Sequence, residues 1–161
     1  MDHVDRILEH WHQERADLDV APMGRFGRMK RLNQCLLQHM RKTWAEHGLN
    51  AASFDMLAAL RRAGPPYALS PGDLMASTMV ISGTMTHRVD QLEKARLVTR
   101  VRNPNDGCSF LVSLSDKGFE IIDAAVTDHV AAQARLAAHL SLDERTHLDD
   151  LLRTLLKALE G

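Results

Sequence analysis

Between Val20 and Ala45 the chain carries no acidic residue, while Arg25, Arg28, Lys30, Arg31, Arg41 and Lys42 accumulate. Residues 20–114 hold thirteen basic and six acidic side chains, net +7, whereas residues 1–19 and 115–161 are each net −4. The overall charge of −1 conceals this pattern. A basic middle between acidic ends suits a polyanionic partner, and it equally suits a solvated helix face. Ser82, Gly83 and Thr84 are small, so a helix starting there can bring its N-terminus close to phosphate and bases. Thr86 and His87 follow on the same helix and can reach base edges. Arg102, further along, can reach a phosphate or a minor groove.

Other chemistries fit less well. Nine histidines raise the question of a metal, yet His10 and His12 face away from each other on a helix. His129 and His139 are ten apart, and no His-x-x-x-His or Cys-x-x-Cys spacing occurs. No metal and no cofactor are expected. Cys35 and Cys108 are too few for a disulfide scaffold and point to a reducing cytoplasm. Cys108 reads either as a small bystander or as a redox sensor whose thiol Arg100 and Arg102 activate. Nucleophile elbow, phosphate-binding glycine loop and paired carboxylates are all lacking, so no enzyme is expected. Gly24, Gly27 and Gly48 read as helix punctuation. The acidic, polar start, Met1 to Asp5, is unlike a secretory leader, and no apolar run could span a bilayer.

These residues need elements to hold them. Val4, Ile7, Leu8 and Trp11 form one apolar stripe, predicting a helix over residues 2–16. Pro22 breaks it, and a second helix is expected from Gly24 to His47, stopped by Gly48. Asn50 caps a third helix that Gly64-Pro65-Pro66 ends. Ser70-Pro71-Gly72-Asp73 starts a short helix over 71–77, and another is expected over 82–95. The period then changes to alternation over 97–102 and 110–114, with a hairpin signal at Asp106-Gly107. Ser115 and Ser141 each cap a helix, reaching about Leu140 and Leu159. The expected fold is mainly α with a small β-hairpin. Two short helices and a hairpin make a winged helix-turn-helix over 48–114, and its second helix suits a DNA major groove. It lies within a single domain over 1–161.

At this point the sequence resembles the multiple antibiotic resistance regulator (MarR) family of bacterial transcription factors. The resemblance covers residues 20–160. It is carried by Leu69 to Leu74, Ser82 to Glu93, Leu97-Val98 and Val112 to Gly118. It implies a cytoplasmic, DNA-binding homodimer, most often a repressor, on a pseudo-palindromic double-stranded site. Residues 1–47 and 115–161 would form the N- and C-terminal helical dimerisation region. Leu136, Leu140, Leu148, Leu151, Leu152, Leu155 and Leu156 fit such an interface, or else fill a monomer core. By the same resemblance Ser70 joins Ser82, Gly83, Thr84, Thr86, His87 and Arg102 as DNA-binding residues. Two departures stand out. The family's wing-tip arginine is absent, because Gly107 and Cys108 follow Asp106. Arg96 occupies the place where a glycine commonly ends the recognition helix.

A narrower likeness is to the family's urate-responsive branch. That branch has an extra N-terminal helix with a tryptophan, an aspartate before the DNA-binding motif, and arginines on the recognition helix and wing base. Trp11, Asp55, Arg88 and Arg100 match in kind. The resemblance implies a small anionic effector such as urate. Trp11 would contact the purine, Arg88 would pair with its charge, Asp55 would be displaced, and Arg100 would tie the wing to the site. Each residue also has a structural reading: core cap, static salt bridge, phosphate contact. Two alternatives stay open: a helical protein-interaction module that lost tight DNA binding, and a regulator sensing oxidants through Cys108.

Overall fold

The protein is represented by a computed structural model that describes residues 1–78 and 85–161. Ser82, Gly83 and Thr84 lie outside the described residues. The chain divides into two compact units, Met1–Lys42 and Thr43–Gly161.

The first unit holds α1 (His3–Glu14) and most of α2 (Ala21–Glu46). Asp2 caps α1 in a reciprocal box with Asp5. Arg28 on α2 donates to Asp2 at 2.8 Å and also binds Asp5. The Asp5 backbone N–H, and then Arg28, hold the Asp2 carboxyl at a pKa of about 2. So Arg28, one of the cations in the acid-free run, is neutralised within the unit. Helix α2 begins at Ala21, earlier than expected, because Pro22 sits in the first turn, where its missing N–H has no helical partner to lose. Gly24 and Gly27 are not punctuation. A Cβ on Gly24 would meet Leu8 Cδ1 at 2.8 Å, and one on Gly27 would touch Val4 at 3.5 Å. At Gly24 an added methyl would push the Leu8 side chain aside, whereas at Gly27 it would only rest against Val4.

The second unit begins with the last turn of α2. Gly48, at φ +70°, ends that helix, as expected. Asn50 and Ser53 form a capping box for α3 (Ala51–Arg62). Ser70 caps α4 (Pro71–Ser77), and Pro71 occupies the first helical position. α5 (Met85–Lys94) ends at Arg96, which takes the left-handed conformation, φ +59°, that glycine usually fills. α6 (Asp116–Ala137) and α7 (Leu142–Glu160) are capped by Ser115 and Ser141.

Among the described residues three strands, not two, form the sheet. β1 (Ala68–Leu69) pairs antiparallel with β3 (Asp106–Leu114), which pairs antiparallel with β2 (Val98–Asn103). A two-residue strand carries no visible alternation, so β1 is set by the free edge of β3. Asn103 lies opposite Asp106, so the turn is Pro104-Asn105. Asp106-Gly107 lies inside β3, contrary to the hairpin signal. Pro104 presets the turn, and the Asn103 side chain accepts the Asn105 N–H at 3.0 Å.

Met56, Leu57 and Leu60 of α3 form the core with Leu74, Val89, Val98, Val112 and Ile122. Helix α7 buries none of its residues, so its leucines do not fill a core within this chain. Beside the core the Trp44 Nε1–H donates to His129 Nδ1 at 3.2 Å, and Phe54 completes the aromatic cluster. That bond requires Nδ1 to be unprotonated, and burial pushes the His129 pKa down. The folded protein therefore refuses a proton that the unfolded chain accepts below its ordinary value of 6.5. We expect stability from this group to be present above that pH and lost as pH falls through the depressed value. Urea titrations from neutral to mildly acidic pH should show a steeper loss in the wild type than in His129→Gln, which keeps an acceptor for Trp44. Parallel curves would assign the acid sensitivity to another group.

Candidate nucleic-acid interface and ligand pocket

Helix α5 presents three kinds of surface. Val89 and Leu92 face the core. Thr86 and His87, in the first turn, are exposed. Asp90 and Glu93, one turn apart, face the wing. There Arg100 of β2 donates to Asp90 at 2.5 Å and to Glu93, and its guanidinium lies 5.3 Å from the Phe110 ring centroid. The Asp90 hydrogen bond, foremost, with Glu93 adding charge, raises the Arg100 pKa further. Arg100 therefore bolts the base of the wing to α5. With two carboxylates on its guanidinium it is poorly disposed to serve a phosphate, one of the wing contacts the sequence left open. Arg102, two residues on, is exposed at the wing, and its Nε donates to the Gly107 carbonyl at 3.2 Å.

On its other flank α5 meets the start of α3. Arg88, His87, Gln91 and Leu92 line a pocket of about 200 Å³ with Asn50, Ala52, Ser53 and Met56. Arg88 is half-buried there. Asp55, also half-buried, lies on the same helix α3. A guanidinium, an imidazole and an amide beside a helix N-terminus make a setting that favours an anion.

The remaining sequence candidates are placed as follows. The Ser70 hydroxyl is taken up by its cap, accepting from Asp73 N–H at 3.1 Å and donating to the Asp73 carboxylate at 2.6 Å. Trp11 belongs to the first unit, 39% exposed, beside Ile7, His10 and Glu14 in an open pocket of about 300 Å³. Cys35 and Cys108 are exposed, and the Cys108 N–H donates to Asp106 at 3.1 Å. Among the described residues no cluster of three or more His, Cys, Asp or Glu is placed to hold a metal ion. No described helix is long and apolar enough to cross a membrane. Sequence reasoning missed Asp90 and Glu93. Their spacing of three places them on one helix face, but the arginine they bind is on a strand.

A half-buried helix packed on a three-stranded antiparallel wing, preceded by two short helices, defines a winged helix-turn-helix regulator. The comparisons sharpen that class. Residues 47–107 match the MarR family profile. The chain is 37% identical over 149 residues to the HTH-type transcriptional regulator PecS of Dickeya dadantii, covering 92% of this chain and 90% of PecS. A MarR mutant from Escherichia coli complexed with operator DNA superposes with a TM-score of 0.71 at 26% identity, covering 91% of this chain and 97% of that one. Bordetella bronchiseptica BpsR, whose DNA binding is regulated by 6-hydroxynicotinic acid, superposes with a TM-score of 0.68 at 25% identity, covering 79% and 89%. The chain belongs to the MarR family of transcriptional regulators.

The Arg100 bolt is testable in isolation. A double-mutant cycle of Arg100→Gln and Glu93→Gln, read by urea unfolding, should give a coupling on the order of 1 kcal/mol that shrinks with salt. Zero coupling would leave Asp90 as the carboxylate that holds Arg100.

Proposed function

We propose that the protein is a homodimeric repressor that grips a pseudo-palindromic operator and releases it when a small anion, such as urate, binds. The observation that carries this reading is the dual engagement of α5. The helix offers Thr86 and His87 to a groove, is bolted to the wing by Arg100, and carries Arg88 in an anion-favouring pocket. A ligand that recruits Arg88 has different affinity for two tilts of α5, and DNA prefers one of them.

The dimer is supported by the apolar surface of α7. Leu148, Leu151, Leu152 and Leu156 are exposed along a helix that buries nothing. A stripe of that length needs a partner surface, and two-fold symmetry would supply one. The E. coli complex supports the DNA reading, and BpsR supports regulation by a small aromatic acid. Trp11 and Asp55 are assigned to the ligand on resemblance. Ser70, Ser82, Gly83 and Thr84 are assigned to DNA on the same ground. The lack of an arginine at the wing tip favours a second reading, a protein-interaction module with weakened DNA binding.

Fluorescence polarisation of labelled DNA from upstream of the coding region tests both. We expect tight binding whose log affinity falls linearly with log salt and which urate reverses. Arg88→Ala should lose the urate response. Binding indifferent to urate would remove the urate assignment and leave the regulator. Shallow salt dependence with weak binding would favour the interaction module. The division of labour on DNA has its own signature. Arg102→Ala should weaken all sequences alike and lower the salt slope by about one, whereas Thr86→Ala should change base preference. Unchanged binding by Arg102→Ala would remove the wing contact.

A further inference from the structure

We infer that the first turn of α6 sets the angle of the recognition helix, with Lys117 as the positioning residue. This rests on the reading of α5 as the groove element and goes beyond it.

The last carbonyls of a helix have no intrahelical partner and are ordinarily left to water. Those of α5 are met by the chain that follows it, since Ala95, Arg96 and Leu97 donate to Gln91, Glu93 and Leu92, and the next three carbonyls, in the turn from α5 into β2, are held by one short stretch of chain. Lys117 Nζ donates to the Ala95 carbonyl at 3.1 Å. The Ser115 hydroxyl donates to the Arg96 carbonyl at 2.7 Å. The Ser115 N–H donates to the Leu97 carbonyl at 3.1 Å. Contact is so close that a Cβ on Gly118 would lie 1.9 Å from the Leu97 oxygen. The left-handed Arg96 presents these carbonyls to α6 while its own N–H caps Glu93.

Lys117 also brings a cation to the negative end of α5. It is exposed and contributes nothing to the core. Ser115 and Gly118 hold the cap of α6 and the close approach, so their replacement would disturb the fold itself. Lys117 can be changed without that. Any tilt of α6 is passed through these three bonds to α5, because a short helix pinned at one end follows its pin.

The test compares wild type, Lys117→Met and Lys117→Arg for operator and unrelated DNA at several salt concentrations, with thermal unfolding as the folding control. We expect Lys117→Met to stay fully folded at the assay temperature, with at most a small drop in Tm, and to lose about tenfold in operator affinity, the scale of one charge-assisted hydrogen bond. The salt slope and the affinity for unrelated DNA should not change, and Lys117→Arg should restore the operator. Equal affinity in all three proteins overturns the inference. A salt slope lowered by about one overturns it too, since Lys117 would then be a direct phosphate contact. If wild type itself binds no DNA, the groove reading fails and carries this inference with it.

Discussion

The closest constraint in the second unit is between backbone and backbone. Helix α6 starts so near the turn after α5 that only a residue without a side chain fits, and Gly118 is that residue. The contact places the N-terminus of a 22-residue helix against the end of a 10-residue one. Everything that gives α5 its direction then follows. Arg96 adopts a left-handed conformation to turn the chain into β2, and β2 delivers Arg100 back onto the face of α5 that carries Asp90 and Glu93. The recognition helix is thus held at its end by α6 and along its side by the wing. Its remaining flank faces the pocket that Arg88 shares with α3.

This arrangement has a consequence for regulation. A helix that reads DNA must be stiff to discriminate sequences, yet a regulated one must have a second arrangement of comparable energy. Val89 and Leu92 bury one face of α5, while on the wing side the ties are ionic, between half-exposed groups, and such ties are worth little each.

Much of the fold was legible residue by residue. Asn50, Ser70, Ser115 and Ser141 cap their helices as the sequence indicated, whereas the Asn50–Ser53 reciprocity and the Asp2–Asp5 box of α1 emerged only in the structure. Gly48 ends α2 as read. The hairpin tip lies at Pro104-Asn105 and not at the Asp106-Gly107 signal, because Pro104 and the Asn103 side chain favour a turn two residues earlier and strand register selects it. The candidate site was legible as a set of residues but not as a set of contacts. Arg88 and Arg100 were both singled out, yet they face opposite neighbours: one α3, the other the acids of its own recognition helix.

By itself the sequence determined the succession of helices, their caps, the wing and the family, because periodicity and capping are interactions within four residues. Tertiary structure decided which charges remain available. Arg28 is spent on Asp2 and Asp5, 26 and 23 positions away, and Arg100 on Asp90 and Glu93, so the basic middle is less basic than its count. It also decided that Gly24 and Gly27 are contact points and not helix ends, and that two residues before α4 become a strand. Partners so far apart along the chain leave no local pattern; only the folded chain brings them within a hydrogen bond of each other.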